Sequence, residues 1–393
     1  MPEPRRIYLD NAATSFPKPD SVHQAVDHYS RQLGAAVGRG GYREALQTGD
    51  LVDQARKRLA ELLHAEDPSR LIWTFNGTDG LNIAIRGFLQ PGDHVVTSVM
   101  EHNSVLRPLR ELEVNDRVEV SRLPVDADGR ISPSAVEAAI RPNTRLIALI
   151  HASNVTGTLQ PVHEVGRLAR RRGIAFLVDA AQSAGHYPID LRDLHADMLA
   201  FPGHKGLLGP LGTGALYLRP GIEDKIRSQK QGGTGSVSER DLQPDCLPDK
   251  FESGNHNAPG LVGLGAALAY IQEKTQAALA RHERELTARF LEGLAEIPGV
   301  NVFGPKQVEN RLGVISLTVD GYDPQVLAAL LDGHYRIQIR AGLHCAPLAH
   351  RSLGTLDSGG TARFSVGPFN TTDDIDAALA ALREVAEAAD SME

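Results

Sequence analysis

Four residues in the middle of this chain have the types and spacing to do chemistry on a carbonyl group. Asp179 and Gln182 follow the apolar run Ile174-Ala175-Phe176-Leu177-Val178, and His204 and Lys205 follow Met198-Leu199-Ala200-Phe201-Pro202-Gly203. A buried strand that ends in a carboxylate sets that acid where parallel sheets bind ligands, beyond the strand C-termini. Alone, Asp179 reads equally well as the N-cap of the next helix. A lysine in an apolar, glycine-rich bend is desolvated; this lowers its amine pKa and suits imine formation with an aldehyde cofactor. Together the group offers a carboxylate to keep a pyridine nitrogen protonated, an amide for a ring oxygen and an amine for the aldehyde. Other chemistries fit less well. Ala181-Gln182-Ser183-Ala184-Gly185 imitates a nucleophile elbow but lacks its first glycine. The glycines from 206 to 214 lead into a strand rather than a helix, unlike a dinucleotide fingerprint, and no phosphate-loop motif occurs.

A second centre lies far along the chain, in Arg340-Ala341-Gly342-Leu343-His344-Cys345-Ala346-Pro347. Cysteine is the strongest side-chain nucleophile as its thiolate, and Arg340 and His344 on either side would favour that form. A free cysteine is often a buried apolar residue, but glycine before and proline after argue for a loop. Cys246, in Gln243-Pro244-Asp245-Cys246-Leu247-Pro248, matches no such pattern and reads as incidental.

The elements that must position these residues follow from hydrophobic rhythm. Short apolar runs at 71–75, 94–99, 118–123, 145–150, 174–178, 198–201 and 215–218 alternate with amphipathic stretches. Val162, Val165, Leu168 and Ala169 share one helical face, Arg170-Arg171-Arg172 complement the C-terminal dipole, and Gly173 stops the helix. This rhythm predicts an α/β fold, a mostly parallel seven-stranded sheet covered on both faces. Beyond about residue 260 the pattern becomes α+β, with one long helix over 263–294, a strand at 313–319, and helices at 324–331 and from 371 to 389. The expected division is a large domain over 12–260 and a small one built from 1–11 and 261–393. With 41% hydrophobic and 23% charged residues the chain is not a disordered one. Its formal net charge of −8 gives no footprint for nucleic acid or anionic lipid. Two cysteines are too few for a disulfide framework or a four-cysteine zinc site, so no metal is expected. No signal core follows Met1-Pro2-Glu3-Pro4-Arg5-Arg6 and no run is long enough to span a membrane, which makes a cytoplasmic protein the expectation.

The same residues carry a family resemblance. Tyr8-Leu9-Asp10-Asn11-Ala12-Ala13-Thr14, Asn76-Gly77-Thr78-Asp79-Gly80, Glu101-His102-Asn103-Ser104 and Ser153-Asn154-Val155-Thr156-Gly157 occur in that order. Asp179 to Gln182, His204-Lys205 and Arg340 to Cys345 continue the series. In this order and spacing the chain resembles the class V aminotransferase and cysteine desulfurase family of fold-type I pyridoxal phosphate (PLP) enzymes. The Cys345 segment resembles that of the short-loop (SufS-like, type II) desulfurases.

The resemblance implies that Lys205 binds the PLP aldehyde and moves the substrate Cα proton, that Asp179 pairs with the ring nitrogen, and that Gln182 pairs with the ring oxygen. It makes His102 the residue that stacks on the ring and assists proton transfer, and Gly77, Thr78 and His204 phosphate contacts. Asn154 falls near the substrate carboxylate and the ring oxygen, Arg363 and Arg340 bind that carboxylate, and Thr234 in Gly232-Gly233-Thr234-Gly235 reaches a partner's phosphate across a homodimer. Relatives often carry a serine where Pro202 stands, and proline donates neither through a side chain nor through N–H. The implied reaction takes sulfur from L-cysteine, leaves alanine and a persulfide on Cys345, and passes the sulfur to an acceptor protein. A selenocysteine lyase or other C–S lyase is the nearest alternative, and an aminotransferase has no need of Cys345.

Overall fold

The computed structural model describes residues 5–38 and 40–390, without the side chains of 389 and 390. The Met1-Pro2-Glu3-Pro4 stretch, read above for a signal core and as part of the small domain, lies outside them. All seven expected strands form, each within one residue of the expected ends: β1 Leu71–Thr74, β2 His94–Ser98, β3 Glu119–Leu123, β4 Thr144–Ile150, β5 Ala175–Asp179, β6 Met198–Pro202 and β7 Gly214–Leu218. They make one sheet in the order β1-β7-β6-β5-β4-β2-β3. Only β7 runs against its neighbours, pairing antiparallel with β1 and β6. The other six therefore share one direction and end at one edge. Strands β1, β2, β5, β6 and β7 are buried along their full length, as expected where both faces of a sheet are covered. The crossover helix Val162–Arg172 ends on Gly173 at φ 65°, the left-handed cap that glycine adopts without strain.

The later part of the chain forms a four-stranded antiparallel sheet from β8 Val300–Phe303, β9 Val314–Val319, β10 Arg340–Gly342 and β11 Thr361–Ser365, in the order β10-β11-β9-β8. Helices Gln276–Ala295, Pro324–Tyr335 and Thr372–Asp390 accompany it. Their core joins Leu286, Phe290, Leu327, Ile375 and Leu382 to Ile315, Leu317 and Phe364, with the Phe290 and Phe364 rings meeting edge to face at 5.2 Å. Ile7 and Leu9 of the N-terminal segment lie in this same core.

One expectation about this half needs correction. The helix expected over 263–294 is two helices, Ala258–Lys274 and Gln276–Ala295. Thr275 breaks the run at φ 63°, and its side chain caps the second helix by accepting the Ala278 N–H. The division expected at residue 260 falls inside the first of these helices, whose Leu261, Leu264, Leu268 and Ile271 pack into the core of the large sheet. Among the described residues, no helix is long and apolar enough to cross a membrane.

Candidate active site

Six parallel strands ending together bring five loops to one edge of the sheet, and eight of the expected residues come from them. Gly77 and Thr78 follow β1, His102 follows β2, Asn154 follows β4, Asp179 and Gln182 stand at and after the end of β5, and His204 and Lys205 follow β6. All eight line one cavity. Asp179 is buried, and one carboxylate oxygen accepts the Ala181 N–H at 2.9 Å; the residues after it form a turn, and the next helix is capped by Asp190, so the N-cap reading of Asp179 is corrected. Burial raises its pKa, opposed by that N–H and by Lys205. Burial pulls Lys205 down to about 8; Asp179 opposes the fall while Arg363 and Arg340 add to it. The amine thus loses its proton more readily than an ordinary lysine, as a nucleophilic amine must.

His102 caps the helix Asn103–Asn115: its Nδ1 accepts the Ser104 N–H at 3.0 Å, which leaves the ring proton on Nε2. Burial pushes its pKa down to about 4, helped by Lys205, Arg340, Arg363 and Arg107, so the ring is neutral near pH 7. Ser104 also joins His102 to Thr78, with oxygen contacts of 2.9 and 2.7 Å. Gln182 donates to the Ala12 carbonyl at 3.1 Å, tying the cavity to the N-terminal segment.

The lining fits pyridoxal phosphate on its own geometry. A depressed amine, a buried acid and a neutral imidazole face one space. The buried Nδ1 of His204 and Oδ1 of Asn154 have no protein partner. Gly77 opens a 12-residue helix, where free backbone N–H groups and the dipole favour an anion. A Cβ on Gly77 would stand 3.1 Å from the Pro202 Cδ, so Pro202 fills the place of a donor by packing on the helix entrance. The hydroxyls of Thr78 and Ser104 remain beside it.

The second centre meets the first at its rim. Cys345 is exposed, its carbonyl accepts the Asn103 N–H at 2.7 Å, and the His344 carbonyl accepts Asn154 Nδ2 at 2.7 Å. Arg340 Nη2 lies 3.8 Å from the sulfur. Arg363 is 1% exposed, bonds Asp10 at 2.8 Å and the Asn154 carbonyl at 3.1 Å, and keeps a buried Nε without a partner. Asp10 therefore already holds part of the guanidinium fork expected to clamp a carboxylate. His344 is a correction: its ring is 2% exposed and burial drives its pKa to about 2, so it is neutral and brings no positive charge to the thiol. Thr234 lies outside this chain's cavity, bonded to Ser236 within a long segment without helix or strand. Asp10, Asn103 and Ser104 stood inside the quoted motifs without a role, and Glu101 beside them is a fully buried acid raised to about 8 mainly by that burial.

The aminotransferase class-V family profile matches residues 7–378. The chain belongs to the class-V aminotransferase family. Members of this family are PLP-dependent enzymes. The chain is 36% identical over 386 residues to a "Probable cysteine desulfurase" of Methanothermobacter thermautotrophicus, covering 97% of this chain and 94% of that one. It is 32% identical over 387 residues to the cysteine desulfurase of Escherichia coli O157:H7, covering 96% and 93%. Among solved structures, the apo cysteine desulfurase from Thermococcus onnurineus NA1 superposes with a TM-score of 0.91 at 34% identity, over 98% of this chain and 95% of that one. The cysteine desulfurase CsdA (S-sulfonic acid) from Escherichia coli gives 0.86 at 30% identity, over 98% and 95%.

Proposed function

We propose that this class-V family member is a PLP-dependent cysteine desulfurase of the short-loop kind, acting on L-cysteine with Cys345 as the sulfur acceptor. The observation that carries the reading is an exposed thiol beside a guanidinium, on a backbone bonded to Asn154 of the lysine cavity and to Asn103, which stands between the cavity residues His102 and Ser104. The short connection supports the subtype: four residues separate β10 from the helix Pro347–Ser352, and Cys345 is one of them.

Pyridoxal phosphate, when bound, supplies an aldehyde for the substrate amine and a ring that withdraws electrons from Cα. Lys205 would hold its aldehyde, Asp179 its ring nitrogen, Gln182 its ring oxygen, and Gly77, Thr78 and His204 its phosphate. His102 would hold one face of the ring. Arg363, with Arg340, binds the substrate carboxylate through planar N–H donors that a lysine would not reproduce. Lys205 Nζ takes the Cα proton, a task suited to an amine depressed to about 8. Cys345 Sγ attacks the substrate sulfur. The S–S bond forms as the C–S bond breaks; the C–S electron pair stays with Cβ, which takes the proton given up by the Cys345 thiol and becomes the methyl group of alanine, and Lys205 Nζ returns its proton to Cα. The products are L-alanine and a Cys345 persulfide, and an acceptor protein removes the outer sulfur. Attack needs reacting atoms about 3–3.5 Å apart, which is why the turn around Cys345 matters. Thr234 would complete the phosphate site of a second copy in a homodimer.

The test mixes the purified holoprotein with L-cysteine and dithiothreitol and measures sulfide and alanine together. Equal amounts of the two support the assignment. Alanine without sulfide, or pyruvate in its place, would reject it.

A further inference from the structure

Cys345 is displayed on a turn that its own sequence does not favour. The Ala346 N–H bonds the Leu343 carbonyl at 2.9 Å, and the two residues between, His344 and Cys345, both have positive φ, 49° and 58°. A four-residue turn of this kind ordinarily takes glycine, asparagine or aspartate at its centre. Two successive residues with ordinary side chains hold such a conformation only where their surroundings over-determine it.

Three tethers do so here. The His344 carbonyl is held by Asn154 of the cavity and the Cys345 carbonyl by the Asn103 N–H, between the cavity residues His102 and Ser104. The third leads away from the cavity. The His344 ring lies on the His350 ring at 5.5 Å between centroids and 30° between planes, with 3.3 Å from Nδ1 to His350 Nε2. His350 is fully buried, and its Nδ1 meets Thr355 Oγ1 at 2.8 Å. The Thr355 N–H bonds the His350 carbonyl, and the Gly360 N–H bonds the Thr355 carbonyl, so the column rests on the backbone leading into β11. Burial keeps both rings neutral, His344 at about 2 and His350 at about 4, so the column is held by hydrogen bonds and stacking rather than by charge.

We propose that His350, which lines no part of the cavity, is a positioning residue for the nucleophile: with Thr355 behind it, it holds the His344 ring and so fixes the left-handed turn that aims Cys345. The inference rests on Cys345 being the sulfur acceptor, and adds the device that presents it.

The test uses the holoenzyme and the variants His350→Ala, His350→Gln and Thr355→Val. Three readings are taken: the first-turnover rate of persulfide formation, the KM for L-cysteine, and the rate at which iodoacetamide alkylates Cys345 relative to Cys246. His350→Ala is expected to slow the first turnover about 10-fold with KM within about 2-fold. His350→Gln, which keeps a polar group in the column, should recover part of that loss. Thr355→Val preserves the shape and removes only the hydroxyl; it should cost about 3-fold and keeps the question open to an answer if His350→Ala does not fold. The Cys345 to Cys246 alkylation ratio should shift in the same order. Unchanged rates and ratio in Thr355→Val and His350→Gln would overturn the proposal, as would a parallel rise in KM. Alkylation needs no catalysis, so the positioning role is tested even if the wild type transfers no sulfur.

Discussion

The molecule has two free cysteines, both exposed, and their surroundings differ in almost every other respect. Cys345 sits in a tight turn between β10 and a helix, with its carbonyl fixed by Asn103 and a guanidinium 3.8 Å from its sulfur. Cys246 lies in the stretch 227–257, which contains neither helix nor strand, and its sulfur is 3.9 Å from a carboxylate oxygen of Asp249. A positive neighbour stabilises negative charge on sulfur and a negative neighbour opposes it. Exposure alone therefore does not make a nucleophile. Cys345 is set apart from Cys246 by the guanidinium beside its sulfur and by a backbone tethered at the carbonyls of both His344 and Cys345.

The strongest way to break this contrast is Cys345→Ser. Sulfide release from L-cysteine should fall by about 10³-fold or more, as when a covalent nucleophile is lost. The change in cofactor absorbance on adding L-cysteine should survive, because Lys205, Asp179 and Arg363 are untouched. A variant retaining a tenth of wild-type sulfide release would move the chemistry away from Cys345.

Arg340→Gln probes the charge without removing the thiol. In the wild type, iodoacetamide at pH 7 should label Cys345 about 10-fold faster than Cys246. The substitution should bring the two rates close together by slowing Cys345, with Cys246 unchanged, as read by mass spectrometry of the two peptides. Equal labelling of both cysteines in the wild type would show that Arg340 does not distinguish them.

Much of this was legible before any coordinates. Buried parallel strands are continuous Val, Ile and Leu runs bounded by turn residues, so their ends are sharp in sequence. The loops after those ends place Asp179, Gln182, His204 and Lys205 automatically. What could not be read depends on contacts between distant segments. Nothing near Thr275 announces a break, because a threonine at φ 63° is dictated by packing rather than propensity. His344 looked like a cation beside the thiol, and only its burial against His350 makes it neutral. His350 itself lies in no motif, and a histidine on a short helix carries no signal until its ring is seen against another. The Asn154 amide nitrogen also donates to the His344 carbonyl, a bond spanning 190 residues that no local pattern shows.

The histidines also separate the two regions by their response to acid. His102, His151, His204, His344 and His350 are held by burial at about 4, 3, 4, 2 and 4, and two of them, His344 and His350, lie in and behind the Cys345 turn. An unfolded chain takes protons on histidine near pH 6.5, whereas the fold refuses them until much lower pH. The unfolded state then binds more protons, and stability falls as pH drops from about 6.5 toward 4. Burial lowers His94 as well; Glu101, Asp179 and His186 are raised and oppose the fall, but six groups outweigh three. The melting temperature of the cofactor-free protein should drop by about 5 °C or more between pH 7 and pH 5. A flat or rising profile would mean that the buried rings are not held neutral.

Cys246→Ser is the smallest expected effect and the control that gives the others their meaning. Its sulfur lies 3.9 Å from an Asp249 carboxylate oxygen, and its carbonyl accepts the Lys250 N–H, a bond the substitution leaves in place. An exposed site without packing or charge pairing changes stability within about 0.5 kcal/mol. Turnover should stay within about 2-fold and the Cys345 labelling rate should not move. A larger loss would require the 227–257 stretch to meet a cavity, and this chain's own cavity takes none of its lining from that stretch. The loss would then have to arise at the cavity of a second copy, where Thr234 of the same stretch is proposed to reach. Measuring the Cys246→Ser turnover against protein concentration separates the cases: a deficit that disappears at high concentration belongs to association, and one that persists belongs to catalysis.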